Sequence, residues 1–194
     1  MHVFLDFEAS SLADDSYPIE VGWVFEDGRT EVHLIRPAPA WTDWSDKAQA
    51  IHGISRETLT AEGAPHDEVA RRMLDTLAEH QVYASAPSWD GKWLSLLLRA
   101  AGLPRHALRL KDTDEAQCES AREILGPVLH PHDLGPAVRR VVNAVREAAS
   151  HQKVKHRALD DAVQEMEIWR AVRRAAEGEA ARRSTIRGQR TLKS

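Results

Sequence analysis

The chain has 194 residues and a mass of 21.7 kDa, enough for one domain of ordinary size with a short extension. With 42% hydrophobic and 29% charged residues, 10 Gly and 9 Pro, it is neither collagen-like nor generally disordered. Its longest strongly apolar run, Leu94 to Leu98, is far shorter than the roughly 20 residues a membrane span needs. The net charge of −4 hides an asymmetry: Arg182, Arg183, Arg187, Arg190 and Lys193 stand in the last thirteen residues with no acid, so the remainder carries −9. Between Met1 and Glu31, eight acids face one base, Arg29. Asp6 and Glu8 interrupt any apolar signal-peptide core, and a single cysteine, Cys118, forms no internal disulfide; a soluble protein of a reducing cytoplasm, with no membrane partner, is expected.

His2 to Phe7 reads as a strand in which Asp6 intrudes among Val3, Phe4, Leu5 and Phe7. Tyr17 to Phe25 and Arg29 to Ile35, joined by Glu26-Asp27-Gly28, read as an antiparallel hairpin. After a connection containing Pro37 and Pro39, helical patterning starts at Ser45, and Pro65-His66-Asp67 opens a firmer helix with Val69, Met73, Leu74 and Leu77 on one face. Gln81 to Ser85 is β-like; Trp89 to Ala101 is helical and stops at Gly102, with Pro104 beyond. His106 to Lys111 predicts another strand, Asp112 or Thr113 caps a helix running to about Leu125, and Gly126 to Asp133 reads as a loop. Val138, Val141, Val142 and Val145 recur at helical spacing, and Ala158 to about Ala176 predicts a long helix striped by Ala162, Met166, Trp169 and Val172. A meander followed by alternating helices and strands predicts an α/β domain with a mixed sheet flanked by helices, over residues 1–178, and a basic, flexible tail over 179–194.

Three groups of carboxylates are out of place. Residues two apart in a strand share a face, so Asp6 and Glu8 project together, and a divalent cation would relieve both their burial and their repulsion; exposed edge acids are the alternative. Asp90 follows Trp89 at a helix start, where an acid also serves as a cap. His156 stands five residues before Asp161 at the opening of the long helix, where a surface pair is the alternative.

Taken in order, Asp6 and Glu8 on a first strand, Asp90 opening a middle helix and His156-x4-Asp161 resemble the three motifs of the DEDDh 3′–5′ exonuclease superfamily (DnaQ-like, including ribonuclease T), over about residues 2–175. Pro18-Ile19-Glu20-Val21-Gly22, Ile51-His52-Gly53-Ile54-Ser55 and Asp112-Thr113 match its secondary marks. Two positions depart: Ser10 replaces a threonine of the first motif, and Ala86 stands where an asparagine usually precedes the second.

The resemblance implies a ribonuclease H-like fold and a two-metal 3′–5′ exonuclease acting on single-stranded RNA or DNA with a free 3′ end. It implies two ions, Mg²⁺ or Mn²⁺, with Asp6 bridging both, Glu8 and Asp161 on the ion that holds the attacking water, and Asp90 on the second. It makes His156 the general base, which a histidine titrating near neutrality suits, and it permits a homodimer. Ala9, Ser10, His52, Gly53 and Ile54 would hold the terminal nucleotide, with Trp89 or Trp93 as stacking or core residues and Trp41 and Trp44 more exposed. Two other readings remain: a nucleic-acid-binding module that has lost the chemistry, and a phosphodiesterase of the same fold acting on small nucleotides.

Overall fold

The computed structural model describes residues 1–150 and 156–191, with side chains described to residue 185. By its internal contacts the chain divides into two compact units, Met1–Asp112 with Val154–Met166, and Thr113–Lys153 with Glu167–Ser194.

The first unit holds the sheet. Strands β1 (His2–Ala9), β2 (Pro18–Phe25) and β3 (Thr30–Arg36) form the antiparallel meander that the turn at Gly28 (φ 95°) predicts. Helices α1 (Asp46–His52) and α2 (Arg56–Glu62) follow; Ser45 and Ser55 cap them by accepting the amides of Ala48 and Thr58. The two-residue strand β4 (Ala64–Pro65) leads into α3 (His66–Leu77), then β5 (Gln81–Ala84), α4 (Pro87–Ala100) and β6 (Leu110–Asp112). Strand order is β4-β3-β2-β1-β5-β6, with β5 parallel to β1 and β6 parallel to β5. This mixed sheet flanked by helices is the ribonuclease H-like arrangement. Its core joins Val3, Leu5 and Phe7 of β1 and Trp23 of β2 to Met73 and Leu77 of α3 and Leu94, Leu97 and Leu98 of α4.

The second unit is helical: α5 (Thr113–Leu125), a 3-10 turn at Gly126–Val128, α6 (Pro131–Ala149) and most of α7 (Ala158–Thr191). Its core is built on Ala121 and Leu125, Val138, Val141 and Val142, and Val172 and Ala176.

Three expectations differ in detail. The strand predicted from His106 begins only at Leu110: β5 offers Val82, Tyr83 and Ala84 as partners, and the segment before turns through the Ala107 N–H to Pro104 carbonyl bond. The loop predicted over Gly126 to Asp133 is helical from Pro131. The stretch from 179, expected as a tail, continues α7 to Thr191, with Glu179 accepting from Arg182 and Arg183 three and four residues on.

Candidate active site: a carboxylate cluster on the sheet

The cluster sits where β1 ends. The half-buried Asp6 and Glu8 project from one face of the strand, and Asp161 is in the first turns of α7. Ligand oxygens of Asp6, Glu8 and Asp161 all lie within 4.8 Å of one another. What lets α7 come this close is Gly22, which pairs with Asp6 across β1 and β2. A Cβ on Gly22 would fall 2.4 Å from the backbone nitrogen of Leu159 and 2.6 Å from its Cα, so only glycine admits the helix start at that level.

A second device fixes the same helix start. Glu20, fully buried on β2 and in register with Glu8, accepts from Arg157 Nε at 3.0 Å and from the Ala158 backbone N–H at 3.0 Å. It thus caps α7 through a charged hydrogen bond and ties down Arg157, the residue before the helix. His156, exposed immediately before this clamp, takes a positive φ of 53°, a conformation that costs a non-glycine residue free energy unless its surroundings impose it.

Asp90 enters from the first turn of α4 and is 1% exposed. Its Oδ2 is buried without a hydrogen-bond partner. Burial raises its pKa to about 7, against the opposing pull of backbone hydrogen bonds from Ala86, Phe7 and its own amide. Glu8 is also pushed to about 7, first by burial and then by the charges of Asp161 and Glu20, with Arg157 opposing. Asp6 is raised well above the ordinary carboxylate range by burial and by Asp90, Glu8, Asp161 and Glu165 in turn. Glu165, one helical turn beyond Asp161, is a fifth acid that the motif reading missed, although its i+4 spacing could have revealed it. Glu20 was likewise read only as part of a strand.

Crowded, desolvated carboxylates and an orphaned carboxylate oxygen constitute a hard-oxygen donor set of the type that divalent cations occupy. The residues present therefore fit a divalent cation.

The residues expected to hold a nucleotide lie in the same unit. Ala9 ends β1 after an irregularity in its pairing between Glu8 and Ala9. The polar groups of Ser10 are engaged internally: its N–H donates to Tyr17 O, its carbonyl accepts from Ser45 N, and its hydroxyl accepts from Tyr17 N and donates to Asp43 Oδ2 at 2.7 Å. Gly53 closes α1 with φ 73°, and Ile54 packs in a small core with Tyr17, Ile19 and Leu59. His52 is 5% exposed; its Nδ1 accepts from Ile54 N at 3.1 Å, leaving the buried Nε2 without a partner. Desolvation lowers the pKa of this imidazole. Trp93 is buried and donates from Nε1 to Ser16 Oγ, whereas Trp89 is half-buried under the Lys92 ammonium. Trp41 and Trp44 are half-buried too: Trp41 stacks on Tyr17, and Trp44 donates to Gln49 Oε1.

No family model and no curated protein matches this sequence. Solved structures do match. An exonuclease I from Methylocaldum szegediense superposes with a TM-score of 0.63 at 17% identity, over 89% of this chain and 40% of that one. E. coli exonuclease I in complex with a dA16 oligonucleotide gives 0.62 at 15% identity, over 92% and 42%. Its zinc-bound complex with single-stranded DNA gives 0.61 at 17%, over 88% and 40%. The likeness is one of fold, and the chain spans about two fifths of the length of the exonuclease I chains it matches.

Proposed function

We propose that the protein is a metal-dependent 3′–5′ exonuclease of the DEDDh type, acting on single-stranded nucleic acid. The observation that carries this reading is the convergence of Asp6, Glu8 and Asp161 within 4.8 Å, with the buried Asp90 outside that trio but near enough for its charge to act on Asp6. Two divalent ions, Mg²⁺ or Mn²⁺, held by these four carboxylates would lower the pKa of an attacking water and shield the charge on the leaving oxygen. His156, exposed and next in sequence to the Arg157–Glu20 ion pair, would take the proton from that water. Ala9, Ser10 and the His52-Gly53-Ile54 segment form the wall against which the 3′-terminal nucleotide rests. Ser10 contributes there through backbone and hydroxyl groups already tied to Tyr17, Ser45 and Asp43, and His52 through the shape of its buried segment. The fold shared with exonuclease I, whose structures contain single-stranded DNA, supports DNA as the first substrate to try.

The test is a single-stranded oligonucleotide labelled at its 5′ end, incubated with Mg²⁺ or Mn²⁺. Progressive shortening from the 3′ end, abolished by a chelator and by a 3′ block, is the expected result. Binding without cleavage under all metal conditions would instead support a module that has lost the chemistry.

A further inference from the structure

A polyanionic strand approaching a chain of net charge −4 through a cluster of carboxylates needs positive surface nearby. Beside α4 lies a cavity of about 420 Å³, whose walls include Pro87, Gly91 and Leu94 of the helix and Arg105, His106 and Arg109 of the segment that returns to β6. None of its lining residues is acidic. Arg29, Arg71, Arg72 and Arg157 of this unit are each held by a carboxylate, but neither Arg105 nor Arg109 has such a partner among the described residues. Both are exposed. Arg105 Nε donates to His106 Nε2 at 2.8 Å, which orients the guanidinium while leaving its terminal nitrogens available.

The cavity shares the first turn of α4 with Asp90: Pro87 precedes that acid by three residues and Gly91 follows it by one. One turn of helix rises about 5.4 Å, so cavity and carboxylate are neighbours along the helix.

Resting on the nuclease reading, we infer that this cavity is a subsite for backbone phosphates of the strand 5′ to the bond cleaved. Arg105 and Arg109 supply charge-assisted hydrogen bonds to phosphate oxygens, and Leu94 and the buried Leu108 present an apolar floor to the sugar. Such contacts carry no sequence information; they fix register and make affinity grow with strand length. A dinucleotide, whose single phosphodiester lies over the carboxylates, would not reach them.

The experiment compares the full chain with the Arg105→Ala/Arg109→Ala variant, two exposed changes, by fluorescence anisotropy of labelled dT12 and dT2 in Ca²⁺. Hydrolysis of the same two substrates is followed in Mg²⁺. The variant is expected to bind dT12 roughly tenfold more weakly at low salt, with a salt slope shallower by about 1.4, since each phosphate contact on a single strand contributes about 0.7. Binding and hydrolysis of dT2 should stay within about twofold, and Arg105→Lys/Arg109→Lys should recover most of the salt slope, because a lysine keeps the charge. Unchanged dT12 affinity and slope, or an equal loss on dT2, would overturn the subsite. Failure of the unaltered protein to hydrolyse any oligonucleotide would overturn the nuclease reading alone, because the anisotropy comparison judges the subsite without turnover.

Discussion

The paired acids of the helical unit and the carboxylate cluster of the sheet unit are treated in opposite ways. In the helical unit Asp114 is held by the Arg146 guanidinium, which also donates to Gln117 Oε1; Glu179 is held by Arg182 and Arg183; and the buried Trp169 donates to Ser120. In the sheet unit Asp6, Glu8, Asp90 and Asp161 crowd one another, and Asp90 leaves an oxygen with no partner at all. Satisfied polar groups stabilise a fold, whereas like charges gathered in a dry place oppose it. Asp114 and Glu179 are therefore explained by the chain alone. The crowded four of the sheet unit have no such compensation from one another, and a bound cation would supply it.

This contrast can be broken most forcefully at Asp6. Asp6→Asn should reduce hydrolysis by more than the roughly 100-fold typical of losing an outer partner of a metal ligand. In chelator the same variant should unfold at a higher temperature than the native chain, since it removes one member of a mutually repelling set. A lower melting temperature would mean that the crowding is not destabilising.

Next in size is the clamp. Glu20→Gln should cost about 1.5–3 kcal/mol, the range for hydrogen bonds to a charged group, read by denaturant unfolding. It should lower kcat more than KM, because it frees the start of α7 without touching the strand. Equal kcat would mean that His156 and Asp161 hold their places without Glu20.

A third test uses pH. Glu8 and Asp90 titrate near 7 in the folded chain, above their ordinary ranges, so between about pH 4 and 7 the native state binds more protons than the unfolded one. Metal-free protein should therefore lose stability as pH rises across that window and level off above it. Mg²⁺ competes with those protons, so the melting-temperature gain it gives should grow from pH 5 to pH 8. A gain independent of pH would place the ion elsewhere. The smallest effect is expected in the helical unit: Asp114→Ala removes an exposed ion pair worth about 0–1 kcal/mol and should leave hydrolysis unchanged.

Local rules made part of this site readable. The two-residue period of a strand put Asp6 and Glu8 on one face, and motif order singled out Asp90 and Asp161. Glu20 escaped because its partners stand 137 and 138 positions away, a separation over which no periodicity speaks. The meander was legible from its turn, and α3 from its apolar stripe. By contrast β4 is two residues long, too short for any pattern, and the start of β6 depends on how little of β5 there is to pair with. The helical unit was hidden for a related reason: its helices were visible singly, but their separate core follows from contacts between distant segments.

Gly22 adds a constraint of another sort. Because its missing methyl is what admits Leu159, the carboxylate cluster depends on a residue that bears no functional group and that a scan for charged or nucleophilic positions would pass over. Anyone transplanting these acids onto a different scaffold would have to carry over that patch of naked main chain as well, or the last carboxylate would arrive too far out to join the rest.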